Sequence, residues 1–473
     1  MRKMYAGARL RRLREERRMT QAALAKSLDL SPSYLNQLER DQRPLTIPVL
    51  LKLNSTFDLD VQFFAADSDA RLVSDLHEVL IDAAGGHTAP LTEVEELATR
   101  QPEVARIVVA MHRRLRAATD QLDLLSARVS APAGAPGVPM PYEDVRDFFY
   151  DHHNHIAQLD IAAEQLFENS GLTIGSLDRQ LARVAEERAG VTVLVRGDGA
   201  DPTVPKRHYD PETRTLTLAR RLRPGQRAFQ IATTLGLLLY GAELDAVLAE
   251  SPSLNGESRT LARIGLANYF AGALVLPYGR FLRSAEELRY DIDLLGLRFE
   301  VGFETICHRL STLQRQGQRG VPFFFVRTDR AGNISKRQSA TAFHFSRVGG
   351  SCPLWVVHEA FSNPGRVLTQ VAEMPDGRRY LWVARTAAIA PHGFGTPAKN
   401  FAIGLGCDIE YADRLVYSAG LQLGDPSASV PIGAGCKVCE RPTCPQRAFP
   451  HIGSPLAVAE HTSTDLPYPR LGR

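Results

Sequence analysis

The stretch TQAALAKSLDLSPSYLNQLERDQRPLT, residues 20–46, decides how the amino-terminal part of the chain folds. Leu24, Ala25 and Leu28 recur at helical spacing behind Thr20, a residue type whose hydroxyl caps a helix N-terminus. Asp29 and Leu30 make a short turn, and Ser31-Pro32 opens a second helix with a capping hydroxyl and a proline at its first position. That helix keeps Leu35 and Leu38 inward and turns Ser33, Asn36, Gln37 and Arg40 outward. Short amide and hydroxyl side chains on such a helix can hydrogen-bond base edges in the major groove. The preceding segment carries Arg9, Arg11, Arg12, Arg14, Arg17 and Arg18 around Leu10 and Leu13. The following one, 47–57, brings Leu50, Leu51 and Leu53 to close a small helical core. A generic helical hairpin with solvated charges is the alternative, and caps, turn, proline and polar face together argue against it. A DNA-binding domain over 1–66 is expected.

The pattern resembles the helix-turn-helix of phage repressors and the xenobiotic-response-element family, Thr-Gln-x-x-Leu-Ala through Ser-x-x-x-Leu-x-x-x-Glu. The resemblance implies a phosphate contact for Gln21 and base contacts for Ser33, Asn36 and Gln37. Ser31, Tyr34, Arg40 and Arg43 complete the expected DNA-facing set. The expected partner is a double-stranded operator.

At 473 residues the chain has room for about three domains of ~150 residues each. Apolar content of 44% and charged content of 23% are those of an ordinary globular protein. The net charge of +3 hides an asymmetry: residues 1–60 hold 12 Lys/Arg against 7 Asp/Glu, and the remainder is slightly acidic. Positive charge is concentrated where DNA would lie. The polybasic start has no apolar run behind it, and the longest apolar stretch, 235–240, is too short to cross a bilayer. A cytoplasmic protein with no membrane contact is expected.

Residues 69–128 are helical by period, with Leu72, Leu76 and Leu80 in one stripe and Val104, Ile107, Val108, Met111 and Leu115 in another. A spacer or dimerising segment over 67–130 fits, because such DNA modules usually read two half-sites as a dimer; a monomeric scaffold is the alternative. APAGAPGVPMP, 131–141, is a proline- and glycine-rich linker. Beyond it come a helical stretch over 142–168, a segment near 177–187 leading to an apolar run at 191–195, and a turn feeding an alternating strand at 209–218.

QRAFQIATTLGLLLY, 226–240, together with ANYFAGALVLP, 267–277, resembles the ImmA/IrrE-like metallopeptidase domain. That family carries Ala-His-Glu-Leu-x-His on its first helix, two histidines holding zinc on one face and a glutamate serving as general base. Here Thr233 and Leu237 stand at the ligand positions and Thr234 at the base position. None of these residue types binds zinc usefully or accepts a proton near neutral pH. No enzyme activity is expected, and the pocket over 142–318 is read as a ligand chamber. Simple packing is its bland alternative. A second helix of recognition type, 303–313, is read as structural, with Cys307 and His308 incidental. His152, His153 and His155 lack a convergent fourth ligand and are left out of any metal site.

From 319 to 473 short apolar and aromatic runs at 322–326, 341–345, 354–359, 367–373 and 379–385 read as strands, with hairpin signals at 329–333 and 374–377. A β-rich domain of GAF-like or similar sensor style is expected. It ends in Cys436-Lys-Val-Cys439-Glu-Arg-Pro-Thr-Cys444-Pro445, with Cys407 upstream in Gly404-Leu-Gly-Cys407. Clustered cysteines in a cytoplasmic protein indicate metal or redox chemistry more often than disulfides. Zinc and an iron–sulfur cluster both remain open. One Cys-x-x-Cys knuckle rather than two, and a spacing similar to that of the WhiB-like regulators, lean toward the cluster. The expected ligands are Cys407, Cys436, Cys439 and Cys444, with a turn at 404–406 bringing Cys407 in and Cys352 in reserve.

Over nearly its whole length the chain resembles the short-chain fatty acyl transcriptional regulators of the RamB and PrpR type, with RamB the nearer likeness. Their signature Cys-x-Val-Cys-Glu-Arg-x-x-Cys-Pro-Gln-Arg-Ala-Phe-Pro stands here at 436–450, and STLQR (311–315) and SKRQSAT (335–341) also match. The resemblance implies an α+β multidomain regulator of acetate and propionate genes (glyoxylate and methylcitrate cycles). It also implies short-chain acyl-CoA as effector and a [4Fe–4S] cluster. Phosphates of a CoA ester want arginine or lysine and its acyl tail an apolar pocket. Arg207, His208, Tyr209, Arg220, Asn268, Tyr269, Lys336 and Arg337 are the candidate contacts, and a homodimer or higher homo-oligomer is expected. Two other readings share parts of the chain: a zinc-dependent peptidase that cleaves a partner repressor, which would need the missing His-Glu-x-x-His face, and a phage-type immunity repressor, which leaves the terminal cysteines unexplained.

Overall fold

The computed structural model describes residues 7–17, 19–40, 42–57, 72–77, 79–80, 91–128, 141–197, 205–251, 254–339, 351–389, 399–451, 456, 461 and 465–468. The chain divides into two compact units near residue 135. The expected linker at 131–141 falls almost wholly outside the described residues, as does the expected strand at 341–345.

The first unit is helical. Helices α1 (Gly7–Glu16), α2 (Gln21–Ser27), α3 (Pro32–Glu39) and α4 (Ile47–Phe57) enclose Leu10, Leu13, Leu24, Leu28, Leu35, Leu38 and Leu53. Thr20 Oγ1 accepts from Ala23 N at 3.2 Å and Ser31 Oγ from Tyr34 N at 3.1 Å, so both expected caps form. Asp29 makes the turn at φ +49°. Farther on, α5 (Leu91–Arg100) and α6 (Pro102–Arg128) build a smaller core from Leu76, Val79, Val94, Ala98, Ala105 and Val109. On α6 the stripe splits: Ala105 and Val109 face that core, while Val104, Ile107, Met111 and Leu115 are 46–65% exposed.

The second unit begins with α7 (Pro141–Asp151) and α8 (Ala157–Asn169). These are two helices where the sequence suggests one, because His153 and Asn154 adopt φ of +51° and +56°. After α9 (Leu177–Ala189) come β1 (Thr192–Arg196), β2 (Arg207–Asp210) and β3 (Thr215–Ala219), ordered β1-β3-β2 with β1 parallel and β2 antiparallel to β3. Helices α10 (Pro224–Leu239), α11 (Gly241–Ala249), α12 (Gly256–Val275), α13 (Tyr278–Glu287), α14 (Ile292–Phe299) and α15 (Phe303–Leu310) follow. Helices α10 and α12 approach closely at Gly236, where a Cβ would lie 2.9 Å from the Phe270 ring. Among the described residues no single helix is long and apolar enough to cross a membrane.

A six-stranded sheet completes the unit, ordered β5-β4-β8-β7-β6-β9. Its strands are β4 (Phe324–Thr328), β5 (Ile334–Ser339), β6 (Leu368–Glu373), β7 (Arg379–Ile389), β8 (Lys399–Asp408) and β9 (Val430–Pro431), with α16 (Val356–Glu359) between β5 and β6. All neighbours are antiparallel except β6 and β9. The hairpin turns at 329–333 and 374–377 join β4 to β5 and β6 to β7. Two expectations are corrected. Residues 354–359 form a turn and the short helix α16, because Trp355, Val356 and Val357 pack sideways into the sheet rather than alternating across one. Residues 404–406 are the middle of β8, not a turn. Glycine serves there because a Cβ at Gly404 would press on Val326 and Val357, and one at Gly406 would overlap the Phe324 ring.

One face of this sheet, through Phe325, Leu381, Val383, Ile403, Leu405 and Cys407, shares a continuous core with α8–α10 and α12–α15. The opposite face, through Phe324, Val326, Trp382 and Ala402, packs on Cys352, Trp355, Val356 and Phe361. The peptidase-like part and the β-rich part are therefore welded together.

Candidate effector cavity, thiol cleft and DNA-facing helix

On α3, Ser31, Ser33 and Arg40 are exposed, Asn36 and Gln37 are half-buried, and exposed Arg43 follows in the next turn, its guanidinium 5.7 Å from the Tyr34 ring centre. Gln21 reaches back to this helix: its Nε2 donates to Glu39 Oε2 at 3.0 Å and to Asn36 Oδ1 at 3.4 Å. Glu39 is itself buried and pairs with Arg14 Nε at 2.8 Å. The expected DNA-facing residues thus gather along α3, and Glu39 anchors that helix to α1 and α2. The acidic end of the repressor motif was the signal for it.

In the second unit a cavity of about 850 Å³ opens between α7, α10, α12, α15, β4 and β5. On α10, Thr233 and Thr234 spend their hydroxyls on the helix itself, donating to Phe229 O at 2.8 Å and Gln230 O at 3.1 Å. Among the described residues the wall carries Arg146, Lys206, Arg309, Arg327, Lys336 and Arg337 against Glu143 and Glu304. Glu304 pairs with Arg327 at 2.9 Å, and Glu143 with Arg146 at 3.2 Å. Ile334, Trp355 and Ile432 add an apolar corner.

Of the candidate effector contacts, Asn268, Tyr269, Lys336 and Arg337 line this cavity. Arg207, His208, Tyr209 and Arg220 do not. Arg207, His208 and Tyr209 sit on β2, paired to β3 at the edge of the three-stranded sheet, and Arg220 lies just beyond β3; of this neighbourhood Lys206, one residue earlier, lines the wall. His308, read as incidental, does line it; burial, with Lys336, Arg309 and Arg327 nearby, holds its pKa well below the usual histidine value. Phe149, Gln230, Arg309, Arg327 and Trp355 were missed, since nothing local in sequence marks side chains that converge from separate elements.

Behind the wall lies a buried network. Asp160 accepts from Arg309 Nη2 at 2.5 Å and from Tyr269 Oη at 2.6 Å, and Ile156 N donates to Tyr269 Oη at 3.0 Å. His155 Nε2 stands 3.2 Å from Asp160. Burial pushes the Asp160 carboxyl up, but Arg309 and these hydrogen bonds outweigh it and hold the pKa down at about 2.

Cys352, Cys436, Cys439 and Cys444 line one narrow cleft with Gly433, Gly435, Arg441 and Arg447. Arg447 is buried and donates to Cys436 O, Cys439 O and Arg441 O at 2.8, 3.0 and 2.6 Å. Ala448 N donates to Cys436 Sγ at 3.4 Å. Gly433 leaves the room that Cys439 uses: a Cβ there would lie 2.5 Å from its Sγ. Cys407 is elsewhere. It pairs across β7 with Leu381 and faces the core on the other side of the sheet, where burial, with Asp408 beside it, pushes its thiol far up. Of the expected ligands, Cys436, Cys439 and Cys444 thus share the cleft with the reserve Cys352, and Cys407 lies apart from them. Among the described residues no three His, Cys, Asp or Glu side chains lie close enough, as they stand, to hold one metal ion.

A helix-turn-helix module on a chain whose peptidase-like helix has threonine and leucine for metal ligands is a DNA-binding transcriptional regulator. Family profiles match in the same order: a helix-turn-helix over 10–64, an IrrE N-terminal-like domain over 186–311, and the carboxy-terminal domain of a short-chain fatty acyl coenzyme A regulator over 312–468. The chain is 59% identical to the HTH-type transcriptional regulator PrpR of Mycobacterium tuberculosis, over 98% of this chain and 95% of that one. It is 51% identical to RamB of the same organism, over 99% of each. A solved structure titled as a Mycobacterium tuberculosis transcriptional regulator matches at 60% identity with a TM-score of 0.68, covering 70% of this chain and all of that one. The chain belongs to the short-chain fatty acyl coenzyme A regulator family. PrpR shares more with it than RamB does, the reverse of the sequence expectation.

Proposed function

We propose that this regulator controls acetate and propionate genes by sensing short-chain acyl-CoA in the cavity, and that the thiol cleft carries a [4Fe–4S] cluster. The observation that carries the reading is the cavity's composition: a wall rich in guanidinium and ammonium groups suited to phosphates, beside an apolar corner of Ile334, Trp355 and Ile432 suited to a short acyl tail. The sensed state reaches DNA through α3, and the exposed apolar stripe of α6 pairs two copies so that two half-sites are read together.

The donor chemistry of the cleft supports the cluster. Four thiols share it, a backbone N–H donates to one sulfur, and Arg447 braces the loop that carries them. A zinc ion with Zn–S bonds of about 2.3 Å would need these sulfurs drawn tightly together, whereas a four-iron cube takes one thiolate at each of four well-separated corners. When bound, such a cluster supplies an iron- and oxygen-responsive brace for this end of the chain. Cys352, Cys436, Cys439 and Cys444 hold it in this reading.

Calorimetry of the full-length protein with acetyl-CoA, propionyl-CoA and free CoA tests the effector. Tighter binding of the acyl forms is expected, and equal affinity for all three would remove acyl sensing. Genomic DNA captured by the protein and sequenced tests the target genes.

A further inference from the structure

Lys336 stands on β5 directly opposite Arg327 of β4, and both line the cavity. Like charges facing each other across a strand pair destabilise the sheet, and Glu304 answers Arg327 through its 2.9 Å ion pair. Ile334 lies two residues earlier on β5, across an irregularity in the β4–β5 pairing, and also lines the cavity, beside the corner made with Trp355 and Ile432. An acyl chain seated in that corner would bring the carbonyl behind it close to the Lys336 amine. The phosphates would lie toward Arg146 and Lys206.

We infer that Lys336 is a self-acylation site, its ε-amine taking the acyl group of a short-chain acyl-CoA bound in the cavity. This rests on the acyl-CoA reading above. The neutral Nζ attacks the thioester carbonyl carbon, an N–C bond forms and the C–S bond breaks. Coenzyme A leaves as a thiolate and takes up the proton the nitrogen loses, giving Nε-acyl-lysine and free CoA with no change of oxidation state. The surroundings favour the attacking form: burial lowers the Lys336 pKa to about 8, Arg327 adds to the effect and Glu304 opposes it. Around it the cavity also presents His308 and Arg309 from α15, Arg337 from β5, and Glu143 and Arg146 from α7. An acylated Lys336 carries no charge and keeps its acyl group in the corner, so it would record past effector and oppose further binding.

Seven of the 56 basic residues are lysines, so adducts can be mapped position by position. Full-length protein is incubated with propionyl-CoA near neutral pH, binding is followed by calorimetry, and peptides are analysed by mass spectrometry. Propionylation of Lys336 on the order of 100-fold faster than of exposed Lys399 is expected, because Lys336 lines the cavity that holds the thioester and Lys399 does not, with the rate rising through about pH 8. Lys336→Arg should lose that adduct while adducts at the other lysines persist. Acyl-CoA binding with Lys336 unmodified, or modified no faster than Lys399, would overturn the inference and leave the effector reading standing. No acyl-CoA binding at all would remove both.

Discussion

Asp160 Oδ1 accepts from Arg309 Nη2 at 2.5 Å in the interior of the second unit, both residues at most 3% exposed. The pair ties α8 to α15 directly behind the cavity, and Arg309 adds bonds to Leu276 O and Thr312 Oγ1. A buried pair of this kind adds little net stability over an apolar substitute, but breaking it strands a charge.

Asp160→Asn should therefore destabilise the chain by about 3–5 kcal/mol, read as a lower denaturation midpoint. The pH dependence follows from the same group. Its folded pKa of about 2 lies below its ordinary value of 3.8, so its contribution is complete above that value and is lost as pH falls through about 2. Acid titration of the parent and of Asp160→Asn checks this; identical acid unfolding curves would contradict it.

Trp355→Ala opens the apolar corner and should weaken propionyl-CoA by about 1–2 kcal/mol while leaving free CoA nearly unchanged. Calorimetry with both ligands measures the difference. An equal loss for each would place the acyl tail elsewhere.

Cys352→Ser, Cys436→Ser, Cys439→Ser and Cys444→Ser should each deplete iron and the broad absorption near ~400 nm in protein purified without oxygen. Cys407→Ser should keep both and instead lower thermal stability, since it puts a hydroxyl into a fully apolar site. Iron retention by Cys352→Ser together with iron loss in Cys407→Ser would restore the ligand set expected from sequence. One tightly held zinc in colourless protein would replace the cluster.

Asn36→Ala should cost specific DNA binding about 1–3 kcal/mol and spare nonspecific binding. Arg40→Ala and Arg43→Ala should weaken all sequences and flatten the salt dependence. Gel shifts at several salt concentrations separate the two patterns.

Ile107→Asp with Leu115→Asp puts charge on the exposed stripe of α6 without touching Ala105 or Val109 beneath it. Sedimentation should then show a smaller assembly than the parent. An unchanged assembly would move the self-contact to another surface.

Much of this was readable in advance, for local reasons. The caps at Thr20 and Ser31 act over three residues, and the turns at 329–333 and 374–377 over four or five, so sequence proximity suffices. The threonines on α10 were visible as losses because the missing motif is itself contiguous. What was not readable depends on the sheet. Gly404 and Gly406 look like turn residues until Phe324, Val326 and Val357 are seen occupying the space their side chains would need. The same reading grouped Cys407 with thiols that lie across the sheet from it, because strand alternation, not chain distance, decides which face a thiol joins. Arg207 and its neighbours failed for a similar reason, as charge and hydrogen-bonding capacity do not report which edge of a sheet a strand occupies.

Cys352 and Gly433 each line both the large cavity and the thiol cleft. One partition serves two chambers, so a substitution there that recuts the space for a longer or shorter tail also displaces the sulfurs behind it. A bulkier residue at either position would narrow the cavity and the cleft at once, so this wall does not let the two be altered independently.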